Sequence, residues 1–170
     1  MSEAPKPAAV FDTGIVLQAA INPLGPAAAA LDQFDQEKVT VYLSPRLRSE
    51  WEDVLMRPSV RAKNPQITDA QVEAALQRFD ARAIMVPNPP IYVMYPRDPD
   101  DEPVINLAIH VKAKYLVTRD RDLLDLMEPR LPEGRSFRQR FPDLKILDPV
   151  AFVRELTVEP APAPEIEPAP

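Results

Sequence analysis

Short apolar runs and longer amphipathic stretches alternate along this chain. Residues 9–12, 39–43, 83–86, 115–118 and 145–147 are compact apolar runs of the kind expected of strands buried between layers, and 91–95 is a further extended segment. Elsewhere apolar positions recur at the three-to-four spacing of a helix, which predicts helices over 14–21, 26–37, 45–57, 68–82, 103–113, 121–127 and 149–156. Local start signals agree. Ser44-Pro45 and Asp148-Pro149 each set a capping side chain before a proline at the first helical position, and Thr68-Asp69-Ala70-Gln71 is a capping box. Strands alternating with helices imply βαβ units, and so an α/β fold with a central, mostly parallel sheet of about five strands. Right-handed crossovers would gather the strand carboxyl ends on one side, where such sheets bind ligands.

Composition narrows the chemistry. A length of 170 residues suits one domain, expected at 9–156 between a short tail (1–8) and a Pro/Ala/Glu-rich tail (157–170). That second tail has too little apolar surface to fold and is expected to be disordered. It carries Glu159, Glu165 and Glu167 and no base, so half of the net charge of −6 lies there. The mildly acidic body argues against a protein that coats nucleic acid generally. With no Cys and only His110, a thiolate zinc site and a His-rich site are excluded. No apolar run approaches the roughly 20 residues of a membrane span. No apolar leader precedes the first strand, and a cytoplasmic protein is expected.

The remaining chemistry is carboxylate. Asp12 ends the first strand and Asp120 follows the fourth; each fits either an N-cap or a ligand. Asp148, directly before a proline, reads as a cap. Glu50 lies three residues after Leu47 and four before Val54, on or beside the apolar face of its helix, where a charge needs an Arg partner or a metal. Asp98, Asp100 and Asp101 crowd one helix entrance, more negative charge than a cap requires. The triplet Asp12-Thr13-Gly14 also matches aspartic proteases, but that chemistry needs two facing aspartates on Gly-rich β structure, and this chain has three Gly.

Four stretches in order carry a family resemblance: Phe11-Asp12-Thr13-Gly14; Ser49-Glu50-Trp51-Glu52-Asp53-Val54-Leu55; Arg97-Asp98-Pro99-Asp100-Asp101 followed by Ile105-Asn106-Leu107-Ala108; and Tyr115-Leu116-Val117-Thr118-Arg119-Asp120-Arg121-Asp122-Leu123-Leu124. Together, over residues 9–155, they resemble the PIN-domain family, in particular its bacterial toxin components of toxin–antitoxin modules. The resemblance implies a three-layer α/β/α PIN-like fold and a metal-dependent endoribonuclease. It carries the acidic set onto Asp12, Glu50, Asp101 and Asp120, with Asp98 nearby, and suggests Thr13, Thr118 and Asp122 as residues behind the ligands. An all-oxygen set favours Mg²⁺ or Mn²⁺. The family usually has Asn where this chain has Gly14, so a PIN fold that binds RNA or a partner with little or no cutting is the competing reading. An antitoxin protein and a second copy of the chain are the partners implied.

RNA would need cations near those carboxylates. Arg130, Arg135, Arg138 and Arg140, with Phe137 and Phe141, form the densest basic–aromatic stretch, although an ordinary solvated loop is the reading its composition favours. Arg46 heads a second basic rim with Arg48, Arg57, Arg61 and Lys63, and Arg119 adjoins Asp120.

Overall fold

The structure is a computed structural model and describes residues 5–158. Most of the acidic tail therefore lies outside the described residues, as do residues 1–4. The chain begins with β1 (Ala8–Phe11), then α1 (Thr13–Ile21), α2 (Pro26–Asp35) and β2 (Thr40–Leu43). It continues through α3 (Pro45–Met56), α4 (Pro58–Lys63), α5 (Asp69–Arg82) and β3 (Ile84–Met85). After an irregular segment come a 3₁₀ turn (Pro99–Asp101), α6 (Glu102–His110) and β4 (Tyr115–Val117). The last part holds α7 (Arg121–Leu124), a second 3₁₀ turn (Asp125–Met127), α8 (Pro132–Arg140), β5 (Lys145–Leu147) and α9 (Pro149–Thr157).

The five strands form one parallel sheet in the order β3-β2-β1-β4-β5. This is the parallel α/β sheet that the alternation predicts, in the three-layer fold that the resemblance implies. From β1 the chain runs outward through β2 to β3, then crosses back to place β4 on the other side of β1. The order thus reverses between β1 and β4, and the crevice beyond their carboxyl ends is where an open α/β sheet binds its ligand. Phe11 pairs with Val117, so the residues that follow these two strands start from one level.

The core explains why this arrangement holds. Phe11 meets Phe152 of α9 edge-on at 5.7 Å and Phe79 of α5 at 6.4 Å, and Phe79 stacks on Phe34 and receives the edge of Trp51. These rings close one face of the sheet. The pleat turns Val10 and Leu116 to the other face, and both are fully buried. α6 lies against β1 and brings Ile105, Leu107 and Ala108 into the core.

The expected capping signals form as read. Ser44 accepts from the Leu47 amide, Asp148 from that of Ala151, and Thr68 with Gln71 completes the capping box. Three features differ from the sequence reading. α4 and α8 are helices where none was expected, and residues 91–95 pair with no strand. That last segment is held instead by Asn106, a buried side chain of α6. Its carbonyl accepts from the Tyr92 and Val93 amides at 2.7 and 3.0 Å, and its amide donates to the Val93 carbonyl at 3.1 Å. Among the described residues no single helix is long and apolar enough to cross a membrane.

Candidate metal centre

The crevice at the β1–β4 switch collects the acidic residues. Asp12 follows β1 directly, and its backbone amide still bonds to the Val117 carbonyl at 2.9 Å. Its side chain is held on both oxygens. Thr118 Oγ1 donates to Oδ2 at 2.7 Å, and the Thr13 amide donates to Oδ1 at 2.8 Å. Thr118 is fully buried, and the same hydroxyl accepts from the Asp120 amide at 3.0 Å. One threonine thereby fixes the carboxylate after β1 and the backbone after β4 together.

Asp120 caps α7, accepting from the Asp122 amide at 2.8 Å. The cap uses Oδ1 alone. Asp98 likewise caps the 3₁₀ turn through Oδ1, which accepts from the Asp100 amide at 3.1 Å. Asp101 closes that turn and is buried at 8 % exposure, with Oδ2 bonded to no protein group. Asp98, Asp101 and Asp120 each present an oxygen such that all three lie within 4.8 Å of one another.

Electrostatics mark the same group. Burial, reinforced by Asp120, Asp98 and Asp12, pushes the Asp101 carboxyl up to about 8. Burial also raises Asp12, against the opposing hydrogen bonds from Thr118 and Thr13. Glu50, on α3, is raised by burial too, though less exclusively: Thr13 Oγ1 donates to it at 3.2 Å and Arg46 stands 3.9 Å away. The Arg partner weighed for Glu50 is therefore present, and Glu50 is linked to the crevice through Thr13. A relay runs from Thr118 through Asp12 and Thr13 to Glu50.

Asp122 is paired with Arg97, its carboxylate 2.7 Å from the guanidinium, and its charge still adds to those that raise Asp101. Among the expected cations, Arg119 is exposed and lines a cavity of about 430 Å³ with Gln18, Asn22 and Asp148. Arg46 lines another of about 340 Å³ with Ser44, Asn88, Pro99 and Glu102. Arg135 donates to the Pro129 carbonyl at 3.2 Å, and Arg140 to the Tyr92 carbonyl at 3.1 Å, so both help shape local backbone. Arg138 is exposed on α8.

Two contributors escaped the sequence reading. Tyr95 Oη donates to the Asp122 carbonyl at 2.7 Å, and Arg97 binds three carboxylates around the crevice. Arg97 directly precedes Asp98, the one signal that pointed to it.

Gly14 stands in the first turn of α1 with an ordinary backbone, and a Cβ built on it meets nothing within 4 Å. A side chain there is sterically free.

The profile for the PIN domain matches residues 8–122, well over half of the chain. The chain belongs to the PIN-domain family. An uncharacterized protein of Methanocaldococcus jannaschii, MJ1680, is 29 % identical over 146 residues, spanning 86 % of this chain and 89 % of its own. The crystal structure of VapBC2 from Rickettsia felis, bound to a DNA fragment from its promoter, superposes with a TM-score of 0.50. That match covers 83 % of this chain and 98 % of the other at 14 % identity, a likeness of fold. Membership makes nuclease chemistry the frame for the crevice, and a three-carboxylate group of this spacing is one that can bind a divalent cation.

Proposed function

We propose that this PIN domain is a cytoplasmic, divalent-metal-dependent endoribonuclease, the toxin component of a toxin–antitoxin pair. The observation that carries the reading is Asp101 Oδ2, buried, unpartnered and set against two further carboxylates. A buried anion without a donor is costly, and a hard cation removes that cost. The donor set fits: oxygen alone, with no thiol or imidazole among the three.

Asp98, Asp101 and Asp120 would hold Mg²⁺ or Mn²⁺, with Asp12 and Glu50 completing the acidic crevice directly or through water. A bound ion of this kind supplies an activated water and stabilises charge on the phosphate and the departing oxygen. The chain's own part is positioning. Thr118 and Thr13 fix Asp12, Thr13 also holds Glu50, and Asp122 supplies the backbone amide that orients Asp120. The exposed Arg46 and Arg119, together with Arg135, Arg138 and Arg140 of α8, would meet RNA phosphates. Exposed Ile84 and Met85 of the short edge strand β3, with exposed Ile91 and Met94 in the segment that follows it, favour a surface that an antitoxin or a second copy covers.

The open space at Gly14 favours one rival: a PIN fold that holds RNA or a partner without cutting. Purified protein is incubated with total RNA and Mn²⁺ or Mg²⁺, and cut sites are mapped. Wild type is expected to cleave, and Asp12→Asn and Asp101→Asn to lose at least a hundredfold, given that one misplaced catalytic group costs about that much. Undiminished cleavage by both variants would remove the assignment. RNA binding without cleavage, converted to cleavage by Gly14→Asn, would establish the rival.

A further inference from the structure

The carboxylates of the proposed centre come from two separate segments. Asp98 and Asp101 lie at the end of the irregular run after β3, whereas Asp120 follows β4. Their oxygens approach within 4.8 Å, and like charges so placed drive the segments apart. The run from residue 86 to residue 98 has no secondary structure to resist this. Its anchors to α6 lie further back, at Asn106 for residues 92–93 and at Glu102 Oε1 for the Tyr95 amide. None of those anchors reaches the segment that bears Asp120.

Arg97 does reach it. Its Nη2 lies 2.7 Å from Asp122 Oδ1 and 2.8 Å from Asp125 Oδ2, and its Nη1 lies 3.8 Å from Glu133. Asp122 belongs to α7, Asp125 opens the turn that follows it, and Glu133 lies in the first turn of α8. One guanidinium thus spans from the residue beside Asp98 to the residue two beyond Asp120. Tyr95 reinforces the link through its hydroxyl, donated to the Asp122 carbonyl. Arg97 also pairs the Asp122 carboxylate, which is not one of the three that converge. A guanidinium suits this task, because Nη2 carries two N–H groups fixed in its plane and faces both Asp122 and Asp125, where an ammonium is a freely turning point charge.

We infer that Arg97 is the positioning residue of the metal centre, clasping the Asp98–Asp101 segment to the α7 segment so that their carboxylates converge on one cation. The inference rests on the metal-site reading above. Arg97 touches none of the three convergent carboxylates, so it acts through placement.

Full-length Arg97→Met and Arg97→Lys test this against wild type, with Arg82→Met as control. Arg82 makes an ion pair of equal length, 2.7 Å to Asp35, at the opposite end of the strands. The measurements are the Mn²⁺ dissociation constant by calorimetry, the metal-free melting temperature, and kcat and KM on single-stranded RNA across a Mn²⁺ titration. Arg97→Met is expected to weaken Mn²⁺ by about tenfold or more, the usual cost of losing support behind metal ligands. Half-maximal cleavage should need proportionally more Mn²⁺, with KM for RNA unchanged, and Arg97→Lys should recover part of the loss. Arg82→Met should lower the melting temperature alone. Wild-type Mn²⁺ affinity in Arg97→Met would overturn the inference. If Arg97→Met fails to fold, Tyr95→Phe and Arg97→Lys decide, and an unshifted Mn²⁺ affinity in both overturns it. A wild-type chain that takes up no Mn²⁺ would bring down the metal-site reading and this inference with it, whereas wild-type uptake with no effect of the clasp variants removes the inference alone.

Discussion

Asp101 shows how much one side chain's surroundings decide. Its carboxyl is buried in the crevice, and its folded-state value near 8 stands far above the ordinary 3.8 of an aspartate. A group raised in the folded state stabilises the fold while protonated. In metal-free protein that stabilisation is complete below about pH 4 and declines as pH rises, until it is lost above about pH 8. The metal-free melting temperature of wild type is therefore expected to fall between pH 5 and 9, and that of Asp101→Asn to fall much less. Parallel profiles would show that Asp101 does not titrate in this window. Mn²⁺ competes with the same proton, so its stabilising effect should grow over the same range. Thr118 and Arg97 act on the other scale of precision: they add no charge to the cluster, yet they fix where its charges stand.

At the scale of elements, the site depends on a segment that belongs to no element. Asn106 binds it with three hydrogen bonds from α6, and Asn106 is itself 4 % exposed. Asn106→Leu keeps the branched shape and removes every bond, leaving the Tyr92 and Val93 amides and the Val93 carbonyl without that partner. A loss of about 1–3 kcal/mol in urea unfolding is expected, together with weaker Mn²⁺ binding because Asp98 loses its approach path. Unchanged stability would show that the segment is held elsewhere.

The sequence made some of this legible and hid the rest. Asp12 and Asp120 could be read because apolar strand patterns ended beside them, and parallel sheets bring such ends together; Asp98 and Asp101 could be read because they crowd a helix entrance with more negative charge than a cap requires. Glu50 was legible from its helix face, although Arg46 and Thr13 turned out to satisfy it. The clasp was not, since Arg97 and Asp122 are distant in sequence, and Asp122, though expected behind the ligands, carried no sign of its partner. Helix α8 was hidden for another reason. Its sequence, PEGRSFRQR, is polar with Gly at its third position, and it folds because Gly134 fits against the backbone carbonyls of Asp125 and Glu128 where a Cβ would collide. That contact is tertiary, and it also sets Glu133 near Arg97.

Across the whole molecule, one sheet order unites these details. The reversal between β1 and β4 creates the crevice, five parallel strands aim their carboxyl ends at it, and the aromatic cluster around Phe11 and Phe79 keeps the sheet and its helices in register. The acidic crevice is then a local instability borne by a well-packed body, and a cation should convert it into a source of stability. Thermal unfolding of metal-free wild type and Asp101→Asn across a Mn²⁺ titration tests this most directly. At a hundred times the dissociation constant, binding contributes about 2.7 kcal/mol, so the wild-type melting temperature is predicted to rise by about 5–10 °C, with little or no rise in Asp101→Asn. A flat wild-type curve, or an equal rise in the variant, would contradict a metal centre built on these carboxylates.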